Sequence, residues 1–331
     1  MNKIVYVERP FIEWVSIEKV FRQVASELPP EQFDATFEKV PFGNNLSGMI
    51  RNLIFFRPKV ADLYHITGQI HYMALALPVG KTILTVHDLR FLHDKTGLRR
   101  FVLKKFLLDW PLRKLKYITA ISEATKQELI RYGSIDGDRI TVIENPLRSE
   151  FVFRRDKPFD RECPVILQVG TLANKNIPNL ILAISGIRCR LVIIGTIDES
   201  VSQLLKHKNV DFENRVDLDD TELVAEYENC DLVAFCSTYE GFGLPIIEAQ
   251  ALRKPLITSD RSPMKEVAGD GAILVDPDDV KSIREGILTI INDEAGRKRI
   301  VERGAENAKR FEAAEIAKVY IDYYRSILKA H

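Results

Sequence analysis

The sequence predicts an alternating α/β protein made of two domains. Short, largely apolar runs such as Ile4–Val7, Val165–Val169 and Leu232–Cys236 have the length and character of buried parallel strands. Between such runs lie stretches with apolar residues at helical spacing, as over Ile17–Leu28. A chain of 331 residues suits two domains of ordinary size, each burying its own core.

The first half can be justified element by element. Pro29-Pro30 stops the helix that begins at Ile17. A strand over Ala35–Val40, a helix over Leu46–Phe56 and a strand over Leu63–Thr67 follow. Lys81–Leu89 reads as a strand ending in His87-Asp88, and ligands of open α/β sheets sit beyond the carboxyl ends of strands. A histidine there bonds a ligand hydroxyl, shuttles a proton, or satisfies a local carbonyl. Asp88 reads as structural, and His65, His71 and His93 as surface or packing residues. Residues 98–117 hold seven basic residues and one acid, with Phe101, Phe106 and Trp110 interleaved. Such a helix either lies in an anionic membrane surface or turns its apolar side to the core. Tyr117–Ile130 reads as a strand, a Ser122 cap and a helix. Arg139–Pro146 closes the domain, and the charged, irregular Leu147–Pro164 reads as a linker.

The second half opens with the strand Val165–Val169, the loop Gly170–Asn176 and a helix over Pro178–Ile184. Lys175, close to that helix start, either neutralises a bound anion or is a solvent-exposed loop lysine. Leu191–Thr196 is the next strand, with Gly195 near its end. Thr221–Asn229 is the helix before the strand Leu232–Cys236. After that strand come Gly241, Gly243 and Pro245, then a helix from Ile246 to about Leu252. Proline suits a first helical turn, glycine admits a close backbone approach, and a helix N-terminus attracts anions. Two carboxylates, Glu240 and Glu248, bracket this loop. A phosphate alone would not want them, but a carboxylate accepts two hydrogen bonds from a vicinal diol. Together they describe a site for a sugar joined to a nucleoside through a diphosphate. The alternative is a helix N-terminus with acidic residues placed for the macrodipole. Helices over Val280–Ile291 and Arg297–Phe311 follow. The tail Phe311–Ala330 places Ile316, Val319, Tyr320, Tyr323, Ile327 and Leu328 on one helical face, which reads as packing.

The stretch Glu240-Gly-Phe-Gly-Leu-Pro-x-x-Glu248 resembles the E-x7-E motif of the retaining GT-B glycosyltransferases of family 4. The resemblance continues through Ala249, Pro255–Ser259, Glu266-Val267 and Gly269–Ala272 to Val275-Asp-Pro277. It implies two Rossmann-like domains facing across a cleft: an acceptor-side domain over 1–155 and a nucleotide-sugar domain over 156–310. A last helix over 311–331 would cross back to the first domain. It also implies a catalytic set of Glu240, His87 and Lys175, with His87 facing the donor sugar. The donor would be held by Gly170, Thr171, Lys175, Gly195, Arg215, Val216, Glu240, Gly241, Phe242, Gly243, Leu244 and Glu248, with Glu248 on the ribose diol. Three departures stand out. The family's glycine-rich turn after the first strand is replaced by Glu8–Glu13, which has no glycine. Asn174 stands where arginine is usual, in a loop about one residue shorter, and Asn214 stands where glycine is common.

The resemblance implies retaining transfer of a hexose from a GDP- or UDP-sugar, mannose-like, to a glycan or lipid-linked acceptor of a cell-surface glycan. No metal or other cofactor is expected. Asp136-Gly-Asp138 is only superficially D-x-D and reads as a turn. Rival readings are a sugar-nucleotide epimerase or a phosphorylase on the same fold, and a non-catalytic nucleotide- or glycan-binding partner subunit. The formal net charge is zero, but residues 1–157 carry 25 Lys and Arg against 18 Asp and Glu, a surplus of about +7. The remainder is correspondingly acidic. Contact with an anionic membrane through 98–117 is expected, and no nucleic acid. Four cysteines without metal-ligand spacing read as reduced thiols of a cytosolic protein, at the inner face of a membrane if 98–117 docks there. The first residues look like a strand rather than a signal peptide. No run approaches the ~20 apolar residues that span a bilayer.

Overall fold

A computed structural model describes residues 1–10, 16–43 and 45–330. The chain divides into two compact units, one of residues 1–146 with 313–331 and the other of 147–312. Each is an open parallel sheet covered by helices.

In the first unit the strands are β1 (Asn2–Glu8), β2 (Phe33–Lys39), β3 (Leu63–Ile66), β4 (Thr82–Val86), β5 (Tyr117–Ala120) and β6 (Ile140–Val142), in the order β2-β1-β3-β4-β5-β6. All the pairs are parallel, with Ile4 opposite both Ala35 and Leu63. β3 and β4 are buried along their whole length, as strands covered on both faces must be. Asn45 caps the helix Leu46–Phe55 and Ser122 caps Glu123–Gly133, each accepting a first-turn amide. The basic stretch is not one regular helix. An α-helix over Gly97–Lys104 passes through a π-helical turn, Lys105–Asp109, into Trp110–Lys114. Leu107, Leu108 and Leu112 enter the core, while Leu98, Phe101 and Trp110 are exposed.

The last helix, Ala313–Lys329, belongs to this unit. It buries Ile316, Ala317, Tyr320, Ile321, Tyr324 and Ile327, whereas Val319 is exposed and Tyr323 and Leu328 only partly covered. The expected stripe is therefore rotated by about one residue. Polar partners set the phase: Tyr324 Oη bonds Tyr6 Oη at 3.1 Å and His65 Nδ1 at 2.8 Å. His65 Nε2 in turn bonds Thr85, which bonds Thr119. Among the other expected surface or packing residues, His65 and His71 are fully buried, and His93 pairs with Glu128.

The second unit carries β7 (Val165–Val169), β8 (Arg190–Ile194), β9 (Asp211–Arg215), β10 (Leu232–Phe235), β11 (Leu256–Ser259) and β12 (Ile273–Val275), in the order β12-β11-β10-β7-β8-β9. Its core joins Ile166, Ile181, Leu191, Leu232 and Ile257 to Ile283 and Ile287 of the helix Val280–Asn292. All four cysteines are free thiols, and burial pushes Cys230 and Cys236 up to about 12. No helix among the described residues is long and apolar enough to cross a membrane.

Candidate functional site

β7 and β10 lie side by side, yet the chain leaves β7 for β8 on one flank and β10 for β11 on the other. Such a divergence is where an open parallel sheet leaves a crevice for ligands, beyond the carboxyl ends of its strands. The loops after these two strands lead into the helices Ile177–Ile184 and Leu244–Ala251, each with proline in its first turn.

Two residues expected in the catalytic set meet there. Lys175 Nζ donates to Glu240 Oε1 at 2.6 Å, and the ammonium stands 4.6 Å from the centre of the Phe235 ring. Gly170, at φ +87°, makes this possible, since a Cβ there would lie 2.9 Å from Lys175 Cε. Asn174 also turns to the acidic partner, donating from Nδ2 to the Tyr239 carbonyl at 2.8 Å and to Glu240 Oε1 at 3.2 Å. Its Oδ1 is buried without a partner. Gly243 sits at φ +111° immediately before the second helix, a left-handed conformation that favours glycine, and opens the positive end of that helix toward the loop. Gly241 and Leu244 flank it, while the Phe242 side chain is buried, edge-on to Phe311 with ring centres 5.7 Å apart.

The neighbouring strand end is built the same way. Gly195, at φ +116°, follows β8, and a Cβ there would press on Thr171 at 3.2 Å. Asn214 ties β9 to it, donating to the carbonyls of Ile193 at 2.9 Å and Gly195 at 2.7 Å. At the end of β9, Arg215 pairs with Glu213 and with Glu226, and Val216 is exposed. Gly170, Thr171, Lys175, Gly195 and the 240–244 loop thus share one end of the sheet, with Arg215 and Val216 at the end of the adjoining β9, where the Gly195 amide donates to the Arg215 carbonyl at 2.8 Å.

Glu248 lies one turn into its helix and is 3% exposed. Arg148 Nη2 donates to its Oε1 at 2.9 Å, and Tyr227 Oη donates to its Oε2 at 2.7 Å. Arg148 also donates from Nη1 to Asp220 at 2.8 Å. Neither Arg148 nor Tyr227 stands out in the sequence, and Arg148 falls in the stretch that reads as a linker.

His87 belongs to the other unit, just past β4. Its Nε2 lies 2.7 Å from the Thr67 carbonyl, which can only accept, so Nε2 carries the proton and Nδ1 is the acceptor nitrogen. Burial pushes the imidazole down to about 4, leaving it neutral at ordinary pH. Nearby, Arg9 forks the Glu18 carboxylate, Nε to Oε1 and Nη2 to Oε2, both at 2.8 Å. Arg9 stands where the glycine-rich turn was missed, and Phe11–Glu13 of that segment lie outside the described residues. Among the described residues no group of three or more His, Cys, Asp or Glu is placed to hold a metal ion. Asp136 caps the short turn Gly137–Arg139.

Comparison with known proteins gives concordant results. The profile of the family "Glycosyl transferases group 1" matches residues 150–307, and that of "Glycosyltransferase Family 4" matches residues 20–151. The capsular polysaccharide biosynthesis glycosyltransferase CapM of Staphylococcus aureus is 30% identical over 75% of this chain and 70% of its own. The O-antigen chain mannosyltransferase RfbU of Salmonella typhimurium is 28% identical over 62% of this chain, a match spanning 60% of that protein's length. The solved structure of Anabaena Alr3699/HepE, in complex with UDP and glucose, superposes with a TM-score of 0.79 at 17% identity. That match covers 98% of this chain and 100% of the other.

Proposed function

The chain belongs to the group 1 glycosyltransferases, with their GT-B fold, and from that premise we propose that it moves a hexose from a nucleotide sugar to a glycan or lipid-linked acceptor in cell-surface polysaccharide synthesis. The carrying observation is the meeting of Lys175 and Glu240 at the β7/β10 crevice, beside the left-handed Gly243. The second unit holds the donor and the first serves the acceptor. An ammonium has three N–H donors, of which Glu240 takes one, so Lys175 can keep its carboxylate and still bond the diphosphate. That cation, with the helix end behind Gly243, stabilises the charge that grows on the departing diphosphate. Glu240 accepts hydroxyl hydrogens of the sugar and Glu248 those of the ribose. The amides of Gly241, Phe242 and Gly243 meet phosphate or sugar oxygens.

Transfer proceeds with retention. The acceptor oxygen attacks the anomeric carbon on the face from which the diphosphate leaves. The electron pair of the broken C–O bond stays on the phosphate oxygen, which takes the acceptor's proton. Mannosyltransferase relatives and a neighbour in complex with UDP and glucose support a hexose on a nucleotide, which we read as GDP or UDP. The exposed Leu98, Phe101 and Trp110 among basic residues supply a contact to an anionic membrane. A binding-only role draws on one observation, the neutral Asn174 in place of a second cation.

Thermal-shift measurement against UDP, GDP, ADP and their sugar conjugates tests the donor. A ligand of the native state raises the melting temperature by several degrees at a hundredfold excess over its Kd. A shift with one base fixes the donor class, and release of that nucleotide on adding acceptor separates the enzyme from a binding subunit. No shift with any nucleotide at millimolar concentration would sink the reading.

A further inference from the structure

We propose that Arg148 is a positioning residue for the nucleoside: it presents the Glu248 carboxylate to the ribose diol and offers its own Nε–H to the same ligand. The inference deepens the donor reading above and rests on it. Arg148 is nine-tenths buried, and its guanidinium spends Nη1 on Asp220 and Nη2 on Glu248. The Nε–H is buried and meets no acceptor in the protein. Buried donors are nearly always satisfied, so an unmet one beside a carboxylate suited to a diol points to an oxygen supplied from outside.

The surroundings are built for rigidity. The guanidinium carbon lies 4.5 Å from the centre of the Phe151 ring, which stands edge-on to Tyr227 at 5.4 Å. Tyr227 then closes the circuit with its hydrogen bond to Glu248 Oε2. An ionised carboxylate offers about four lone-pair positions. Arg148 and Tyr227 take two, fixing the plane of the group, and a vicinal diol needs two. Without the cation, Glu248 and Asp220 would face each other as like charges. Burial works against the guanidinium charge, but the adjoining Glu248 and Asp220 carboxylates outweigh it, so Arg148 stays cationic and above its ordinary range. Lysine cannot substitute, because an ammonium lacks the planar fork that reaches two carboxylates and leaves a third N–H in a fixed direction.

Titration calorimetry on the full chain tests this, using UDP and GDP, their 2′,3′-dideoxy counterparts and pyrophosphate, with wild type, R148Q and R148K. Wild type is expected to prefer the ribonucleotide of one base over its dideoxy form by about tenfold or more. Both variants should lose most of that preference while binding pyrophosphate as wild type does. If R148Q does not fold, R148K, which keeps the charge, carries the same comparison. A variant that keeps the wild-type ribose preference overturns the role of Arg148 and leaves the donor reading intact. So does a variant that loses ribonucleotide, dideoxynucleotide and pyrophosphate binding in equal measure, since that is the mark of a purely structural residue. A wild-type protein that binds no nucleotide overturns both.

Discussion

The two sheets have equivalent switch points, and their loops fill them differently. In the second unit the crevice between β7 and β10 is lined by Gly170 and Gly243, both left-handed, with one largely buried cation and one carboxylate in contact. In the first unit the chain diverges between β1 and β3, and the corresponding place is occupied by an ion pair. Arg9 leaves the end of β1, packs over Gly68, where a Cβ would lie 2.7 Å from Arg9 Cγ, and grips Glu18 with a two-pronged fork. The same parallel topology therefore produces one crevice lined by left-handed glycines with a cation and a carboxylate in contact, and one floored by a neutralised pair beside a neutral imidazole, that of His87. Topology supplies the crevice; the residues in the first turn of each loop decide what it accepts.

The contrast is broken most directly at the second crevice. Glu240→Gln and Lys175→Ala are each expected to lower turnover by a hundredfold or more, about 3 kcal/mol of transition-state stabilisation, with the melting temperature held within a few degrees. Steady-state kinetics on the folded variants checks this, and near-normal turnover removes that residue from the chemistry.

Acid should distinguish the units next. His65, His71 and His87 all lie in the first unit, where burial pushes them down to about 3, 4 and 4. Unfolded, each would titrate near 6.5, so between pH 6.5 and 4 the unfolded state binds more protons than the folded one. Stability is therefore full above about 6.5 and falls with pH, at up to about 1.4 kcal/mol per pH unit for each histidine. Both tryptophans, Trp14 and Trp110, lie in that half of the chain, so indole emission reports its unfolding. Far-ultraviolet dichroism that persists after the indole signal has changed would show the second unit outlasting the first. Simultaneous loss at all pH values would contradict the distinction.

The smallest effect belongs to the ion pair. Burial pushes the Glu18 carboxyl up, and the Arg9 fork outweighs it, so the group is held below its ordinary range. Arg9→Ala leaves that carboxylate unpaired and should cost about 1–2 kcal/mol, with part recovered in Arg9→Ala/Glu18→Gln. Calorimetric melting of the single and double variants measures it. A single variant as stable as wild type would make the pair an incidental contact.

Much of the second crevice was legible in the sequence because its parts are local. A strand, two glycines, a proline in the first helical turn and two carboxylates with seven residues between them occupy one continuous stretch, and local backbone rules apply to it directly. The strand ends holding Gly170 and Gly195 were legible for the same reason. The first crevice was not, because a missing glycine says nothing about which side chain stands in its place. Nor could Asn174 be read: as a substitution it looked like a lost cation, and in the fold its amide bonds the same Glu240 oxygen that Lys175 holds.

The sequence by itself determined the α/β class, most of the strand and helix succession, and the family of the chain, because those follow from apolar periodicity and from a contiguous signature. Only the tertiary structure decided the pairings that join distant residues. Arg148 reaches Glu248 across 100 positions, and Tyr324 reaches Tyr6 and His65 across 318 and 259. Those bonds set which face of the last helix is buried and which groups stand around the candidate ribose carboxylate. Periodicity fixes a face only to within about one residue, and a buried polar group settles its phase by where its partner lies.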